Sequence, residues 1–96
     1  MRIVVRPAAA ADIGEAFLWY ENQRAGLGNE FLGAAQAVID AIAARPDMHP
    51  VVQRNTRRAL LRRFPYAIYY RVYPDVIAVV ACMHGRRDPR RWQVRA

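Results

Sequence analysis

The sequence predicts an α+β fold with the element order βααβββ, in which a helical hairpin packs on one face of a small antiparallel-type sheet. The first half contains two stretches whose apolar residues recur with a helical period. The second half contains two runs rich in aromatic and β-branched residues, joined by a turn. At 96 residues the chain has room for one domain, residues 1–96, and no second core.

The first half is predicted to hold one short strand and two helices. Arg2–Arg6 includes an apolar run typical of a strand, and Pro7 ends this run and suits the first turn of a helix. We expect the first helix over Ala8–Arg24 and the second over Asn29–Arg45, because a glycine pair interrupts the helical pattern between them. The apolar stripes are Ile13, Phe17 and Tyr20 on the first helix, and Phe31, Ala35, Val38 and Ile42 on the second. The short connection predicts an antiparallel helical hairpin.

The second half is predicted to supply three more strands. Residues 47–55 have the prolines and polar residues of a loop, in which Val51-Val52 is a candidate strand fragment. We expect strands at Arg57–Phe64, Tyr66–Tyr73 and Val76–Met83, the last two joined as a hairpin by Tyr73-Pro74-Asp75. Alternation places Tyr66, Ile68, Tyr70 and Val72 on the face toward the helices, and Ala67, Tyr69, Arg71 and Tyr73 on the opposite face.

The packing of helices on this sheet predicts one covered and one open sheet face. The core between helices and sheet is predicted to consist of Phe17, Phe31, Val38, Ile42, Ile68 and Val80. The opposite face is predicted to lack cover from this chain, because both helices are used on the first.

The charge is divided strongly between the two halves of the chain. The formal net charge is +7, and all fifteen basic residues are arginine. Residues 1–49 contain four arginines and six acidic residues, a balance of −2, whereas residues 50–96 contain eleven arginines and two aspartates, a balance of +9. Such a positive region attracts nucleic acid, an acidic protein or a membrane surface, and composition alone does not separate them.

Several kinds of site are not expected from the sequence. Cys82, the one cysteine, lies within an apolar strand without metal-ligand spacing, which predicts a buried structural thiol. Phosphate-binding glycine loops, paired carboxylates and a Ser-His-Asp set are missing from the sequence, so neither a cofactor nor a metal is expected. No apolar run approaches the roughly 20 residues of a membrane span. Together with the lack of a signal-peptide core near Met1, this predicts a cytoplasmic protein without a membrane partner.

The stretch after the last strand is rich in arginine and ends on an indole. The residues predicted to contact a target are Arg86, Arg87, Arg90, Arg91 and Trp92. Asp88-Pro89 is typical of a turn within this stretch. Trp92 either folds back on the sheet or anchors an interface, because an indole left in water exposes a large apolar surface. The pattern indicates a binding element more than a catalytic pocket.

Four sequence features follow one another in an order that resembles a known family. They are Trp19-Tyr20-Glu21, Gly26-Leu27-Gly28 followed by Phe31, Arg62-Arg63-Phe64-Pro65-Tyr66 with Tyr69-Tyr70, and His84-Gly85-Arg86-Arg87-Asp88-Pro89 with Trp92. The set resembles the ParE branch of the RelE/ParE superfamily, the toxins of type II toxin–antitoxin modules, over nearly the whole chain. The resemblance implies a toxin that forms a hetero-oligomer with an acidic cognate antitoxin. ParE-type toxins are understood to poison DNA gyrase, whereas RelE-type toxins cut messenger RNA on the ribosome.

Three function classes remain open: a gyrase-binding toxin, a ribosome-dependent endoribonuclease and a plain nucleic-acid-binding module. RNA cleavage requires proton-transfer groups and cations that stabilise the phosphate in the transition state. His84 is the histidine placed for proton transfer, with Arg86 close to it in sequence and with Arg62 and Arg58 available from the predicted strand Arg57–Phe64. All three glutamates lie in the helical half and lysine is missing, so we favour binding to gyrase and a structural role for His84. His49 is expected to be solvated.

The antitoxin is predicted to bind the sheet face that the helices leave open. The residues assigned to it are Tyr69, Arg71 and Tyr73 on that face, together with Arg63. Buried aromatic side chains would supply most of the affinity, and the arginines would speed association with an acidic partner.

Overall fold

Two helices lie on one face of a mixed sheet in the computed structural model, which describes residues 1–85, 90–93 and 95, with Arg91 described by its backbone alone. The elements are β1 (Arg2–Val5), α1 (Pro7–Gln23), α2 (Leu27–Ala44), β2 (Val51–Gln53), β3 (Thr56–Leu60), β4 (Tyr66–Val72), β5 (Val76–His84) and α3 (Arg90–Gln93). Across the sheet the strands follow the order β1-β5-β4-β3-β2. The predicted α+β fold with a helical hairpin on one sheet face is confirmed. β1 runs parallel to β5 while the other neighbours are antiparallel, so the sheet is mixed.

The turn between α1 and α2 is shorter than predicted, because a side chain of α1 caps α2. The Glu21 carboxylate accepts hydrogen bonds from the backbone N–H groups of Gly26 and Gly28, each at 3.0 Å. Satisfying the first N–H groups of a helix stabilises its first turn, and α2 therefore begins at Leu27 and not at residue 29. Both glycines are required here. Gly26 has a φ of 90°, and a Cβ on Gly28 would lie 2.7 Å from the ring of Phe17.

The connection between β3 and β4 begins earlier than the predicted strand boundary. β3 ends at Leu60, whereas the sequence predicted a strand to Phe64. Arg63 has a φ of 67°, in the left-handed region, which turns the chain out of the strand direction. The Leu61 N–H donates to the Tyr66 carbonyl at 2.9 Å and closes the connection. The predicted hairpin of β4 and β5 and the strand fragment β2 are confirmed.

A β-bulge in β5 divides the buried residues of that strand between the two sheet faces. Tyr69 pairs with Ala81 and Tyr70 pairs with Val79, which leaves Val80 as the extra residue. The prediction of Val80 for the helix-side core is wrong: Ile77 and Val79 belong to that core, so alternation places Val80 in the cluster on the opposite face, and the bulge places Ala81 there as well. The helix-side core contains Phe31, Ile42, Ile68, Tyr70, Ile77 and Val79, with Val38 packed against it. The prediction of Phe17 for this core is also wrong: Phe17 lies outside the cluster and is half-buried beside Gly28, where α1 meets α2.

The sheet face away from the helices is covered in part by the C-terminal segment. Its buried cluster consists of Ala67, Tyr69, Ala78, Val80, Ala81, Met83 and Trp92. The rings of Trp92 and Tyr69 stack with centroids 4.4 Å apart and an interplanar angle of 17°. The expectation that this face lacks cover from the chain is therefore wrong, because Trp92 folds back on it.

The two long helices differ in charge from the rest of the chain. α1 and α2 together contain five acidic residues and no arginine, so all fifteen arginines lie outside them. Among the described residues, none of the helices has the length and apolar character needed to cross a membrane. The positive charge is carried by the strands, the connections and the C-terminal segment.

Candidate functional site

The residues predicted for RNA cleavage do not converge in the described part of the chain. His84 pairs with Tyr66 at the end of the hairpin, on the side of α1, and their ring centroids are 5.4 Å apart. Arg58 pairs with Tyr69 and therefore lies on the opposite face of the sheet. Arg62 is exposed in the connection between β3 and β4. Arg86 lies outside the described residues, so three of the four predicted groups can be placed, and they occupy three different surfaces.

His84 lines a recess of about 620 Å³ between α1 and the ends of β4 and β5. Glu15 and the exposed Trp19 of α1 also line this recess. Among the described residues, the one arginine that lines it is Arg95, whose guanidinium is ion-paired with Asp12. A cation already neutralised by a carboxylate is poorly suited to stabilise a phosphorane, so the recess does not complete a cleavage site from the described residues.

The predicted target-binding residues differ in environment. Trp92 is buried, Arg90 is exposed, and the other arginines lie outside the described part of the chain, at least in their side chains. Trp92 is 5% exposed and packs on the sheet, so its indole serves the fold. Arg90 is exposed at the start of α3. Arg86, Arg87 and the side chain of Arg91 lie outside the described residues. Of the two roles that the sequence allowed for Trp92, the structure shows the intramolecular one.

The predicted antitoxin-binding residues lie on two separate surfaces. Tyr69 is 5% exposed beneath Trp92 and presents little surface to a partner. Arg71 and Tyr73 lie at the other end of the same face, where Arg71 Nε donates to Thr56 Oγ1 at 3.0 Å. Hydrogen bonds from Arg71 and Arg6 lower the pKa of the Tyr73 phenol below its ordinary value. The structure thus brings Arg71 and Tyr73 together and removes Tyr69 from the accessible surface.

Arg63 lies beside a groove between α2 and the connection that follows β3. The groove has a volume of about 530 Å³ and a floor of small and apolar side chains: Ala34, Ala37, Val38, Ala41 and Leu60. Arg62 and Arg63 are exposed at its rim. Arg63 also contacts Glu30 of α2 at 3.4 Å, and its guanidinium lies 5.7 Å from the ring centroid of Phe64. An apolar floor bordered by two arginines and one glutamate suits an amphipathic segment with acidic residues.

His49 is another residue whose environment differs from the prediction. It was expected to be solvated, but it is half-buried, lines the same groove, and its Nδ1 lies 3.2 Å from the Tyr70 hydroxyl. That hydroxyl donates to the Pro46 carbonyl at 2.6 Å. Burial is the main cause that raises the pKa of Tyr70. The chain of contacts fixes the loop before β2 against the sheet, which gives His49 a structural role.

Two residues that the sequence did not indicate hold the C-terminal segment in place. Asp12 of α1 forms an ion pair with Arg95, and it also accepts the Cys82 N–H at 3.0 Å. Asp12 and Arg95 are 83 positions apart, so no local motif could have paired them. Among the described residues, no group of three His, Cys, Asp or Glu side chains is placed to hold a metal ion.

Comparison with known proteins identifies the family. A curated set of proteins yields no match to the sequence. The fold is similar to a chain of the solved structure described as the chromosomal ParDE TA system from P. aeruginosa, with a TM-score of 0.67 and 19% sequence identity. That similarity covers 88% of this chain and 95% of the other. The family described as ParE toxin of type II toxin-antitoxin system, parDE, matches residues 3–89. The chain therefore belongs to the ParE toxin family of type II toxin–antitoxin systems.

Proposed function

We propose that this ParE-type toxin arrests growth in the cytoplasm by binding DNA gyrase through its arginine-rich C-terminal segment, and that it performs no bond chemistry. The dispersal of His84, Arg58 and Arg62 over three surfaces is the observation that carries this proposal. Catalysis needs reacting groups within hydrogen-bond reach of one substrate position. A binding element has no such requirement, and Arg90, at the start of α3, is exposed.

His84→Gln separates binding from catalysis. Glutamine can replace a structural hydrogen bond but not a titrating base, so the variant should keep most of its toxicity. Induction of the wild type should cause DNA breaks, an SOS response and filamentation before translation falls, and the purified chain should inhibit gyrase supercoiling. Messenger RNA cut in ribosomal A sites, with gyrase unaffected and His84→Gln inactive, would instead establish a RelE-like endonuclease.

The target-binding segment is best tested by removing charge and keeping Trp92. Truncation after Gly85 also removes Trp92 and Arg95, which pack on the sheet and on α1, so loss of toxicity would be confounded with loss of stability. The double change Arg86→Ala, Arg87→Ala should abolish gyrase inhibition with little change in thermal stability. The matched control for the same loss of two charges is Arg2→Ala, Arg45→Ala, at two exposed positions far from the segment in sequence. Equal loss of inhibition in both double variants would indicate a general effect of charge.

We further propose that the cognate acidic antitoxin places an amphipathic segment in the groove between α2 and the connection after β3. Arg63, assigned to the antitoxin from the sequence, lies at the rim of this groove. Arg71 and Tyr73 then provide a second contact, on the opposite sheet face, for the rest of the antitoxin chain. Apolar contact with the floor would supply affinity, and the arginines would steer encounter, so salt should slow association more than it speeds dissociation.

Ala37→Glu places a carboxylate on the floor of the groove and should weaken antitoxin binding about tenfold or more, because it buries an unpaired charge against an acidic partner. Ala10→Glu is the matched control, since Ala10 is an exposed alanine of α1 that does not line this groove. Affinity can be measured by surface plasmon resonance with the protein encoded next to the toxin. If both variants bind that protein as tightly as the wild type, the groove is not its site.

A further inference from the structure

The outer edge of β5 is covered by a strand along only part of its length. β1 pairs with β5 from Val76 to Val79, and the Arg6 N–H donates to the Val79 carbonyl at 3.0 Å. β5 continues to His84, beyond the end of β1. An uncovered strand edge presents backbone donors and acceptors that require partners.

Two side chains supply these partners where β1 ends. Asp12 Oδ2 accepts the Cys82 N–H at 3.0 Å. Arg95 Nη1 lies 3.4 Å from the Val80 carbonyl oxygen. A carboxylate and a guanidinium thus occupy the positions that an additional strand would take, and one of them comes from α1 and the other from the C-terminal segment.

Asp12 and Arg95 are also bonded to each other through both oxygens of the carboxylate. Arg95 Nη2 lies 3.2 Å from Asp12 Oδ1, and Nη1 forms a second, shorter contact with Oδ2. The side chains are 12% and 27% exposed, for Asp12 and Arg95 respectively. The hydrogen bond that the Arg95 guanidinium donates to Asp12 is the main cause that raises the pKa of Arg95. Paired contacts of this kind are stronger and more directional than a single exposed ion pair.

The residues on either side of positions 86–89 are anchored. On the strand side, the Gly85 N–H donates to the Pro65 carbonyl at 2.8 Å. On the other side, Trp92 stacks on Tyr69 and Arg95 binds Asp12. The arginines proposed to contact gyrase therefore lie between two fixed points of the fold.

We infer that Asp12 is a positioning residue for the target-binding segment: its carboxylate holds Arg95 at the β5 edge and so fixes the C-terminal end of the arginine-rich stretch. This inference rests on the proposed role of that stretch in binding gyrase. A segment fixed at both ends loses less conformational freedom on binding than a free tail, so the fixed segment binds its target more tightly. Asp12 thus affects gyrase binding through Arg95 and does not itself contact gyrase.

The test measures, in the full chain, the solvent exposure of Trp92 and the protease sensitivity of the residues after Gly85, here called the tail. A Trp19→Phe background leaves Trp92 as the reporter, because the chain has two tryptophans. Asp12→Ala should raise acrylamide quenching of Trp92 and speed tryptic cleavage after residue 85 by about tenfold or more, the effect of losing a charge-assisted hydrogen bond. Arg95→Ala should have at least the same effect, because it removes the contact with the Val80 carbonyl as well as the ion pair, and the double variant should be no worse than Arg95→Ala. Asp40→Asn, the loss of one exposed carboxylate on α2 that does not line the recess of Arg95, is the control and should change neither measurement.

Asp12→Asn separates the charge pair from the strand-edge hydrogen bond. Asparagine can still accept the Cys82 N–H but loses the ionic contact with Arg95, so tail release should persist in this variant. Gyrase inhibition should weaken about tenfold in Asp12→Ala and Asp12→Asn, while antitoxin affinity at the groove of α2 stays unchanged. A general loss of structure would reduce both.

Two results would overturn the inference. One is unchanged quenching and cleavage in Asp12→Ala; the other is release of the tail with full gyrase inhibition retained. If the wild-type chain itself does not inhibit gyrase, the proposed function fails, and the quenching and cleavage measurements still decide whether Asp12 holds the tail.

Discussion

Phe31→Ala should remove a large share of the stability of this toxin, because Phe31 joins four elements of the fold. Its side chain is fully buried, and its ring centroid lies 5.3 Å from Tyr20, 5.4 Å from Phe64 and 5.2 Å from Tyr66. These rings come from α1, the connection after β3, and β4. Stacked or edge-on pairs of this kind contribute about 0.5–1.5 kcal/mol each beyond the area that they bury.

The expected loss of unfolding free energy in Phe31→Ala follows from the buried area of the ring, and its share of the total follows from the size of the chain. A buried aromatic side chain removes about 150–250 Å² from water, which at about 25 cal/mol per Å² corresponds to about 4–6 kcal/mol. The unfolded chain already buries part of this area, so we expect a loss of about 3–5 kcal/mol, as for other buried phenylalanines. A chain of 96 residues has a stability of about 5–14 kcal/mol at about 0.05–0.15 kcal/mol per residue. The variant should therefore lose at least about a fifth of the total, and most of it if the wild type lies at the low end of that range.

Urea denaturation followed by circular dichroism measures this loss. Phe31→Ala should lower the midpoint with an unchanged slope, which indicates a change in stability rather than in the unfolded state. Phe31→Leu retains most of the volume and should lose about 1–1.5 kcal/mol. Leu32→Ala is the control one position along α2, where the side chain is 37% exposed. A loss below about 1 kcal/mol for Phe31→Ala, or an equal loss for Leu32→Ala, would refute the assignment of Phe31 to the centre of the core.

The remaining predictions concern a second core position, the cysteine and the helix crossing. Ile68→Ala should lower the free energy of unfolding in urea by about 2–5 kcal/mol, because Ile68 is fully buried on the helix side of β4. An unchanged urea midpoint would show that the assignment of Ile68 to this core is wrong. Burial raises the pKa of Cys82 from 9.0 to about 12, so the folded state keeps a thiol proton that the unfolded state loses. The stability that Cys82 contributes below pH 9 should therefore fall by up to about 1.4 kcal/mol per pH unit as the pH rises toward 12, and urea unfolding of Cys82→Ala should show a shallower alkaline decline. Gly28→Ala should destabilise, because the added Cβ would lie 2.7 Å from the Phe17 ring and 2.9 Å from a Glu21 oxygen; a melting temperature equal to that of the wild type would mean that α1 and α2 separate without cost.

The sequence by itself determined the two long helices, the β4–β5 hairpin and the side of β4 that faces the helices, but it placed the end of β3 four residues too late and did not indicate α3. Helical periodicity placed α1 and α2 to within two residues, and alternation assigned Tyr66, Ile68, Tyr70 and Val72 to the helix side of β4, where they lie. These patterns are local, because each side chain needs only its own element's period to be assigned to a face. The order of aromatic and arginine motifs was also enough to indicate the ParE family, which the match over residues 3–89 confirms.

Other features depended on contacts between distant parts of the chain. The capping of α2 by Glu21 moved a helix boundary, and the bulge in β5 left the neighbours Val80 and Ala81 on the same face of the sheet. Both features depend on contact with another element. They cannot be predicted from the hydrophobic periodicity of α2 or β5 alone. The β5 bulge in particular is defined only by its register against β4.

The position of the C-terminal segment was decided by tertiary structure alone. The sequence allowed Trp92 either to fold back or to anchor an interface, and the stack on Tyr69 shows that it folds back. The pairing of Asp12 with Arg95 spans 83 positions and satisfies a strand edge that exists only because β1 is shorter than β5. Such an edge is a property of the assembled sheet, and for this reason the residues that cover it could be identified only once the sheet was known.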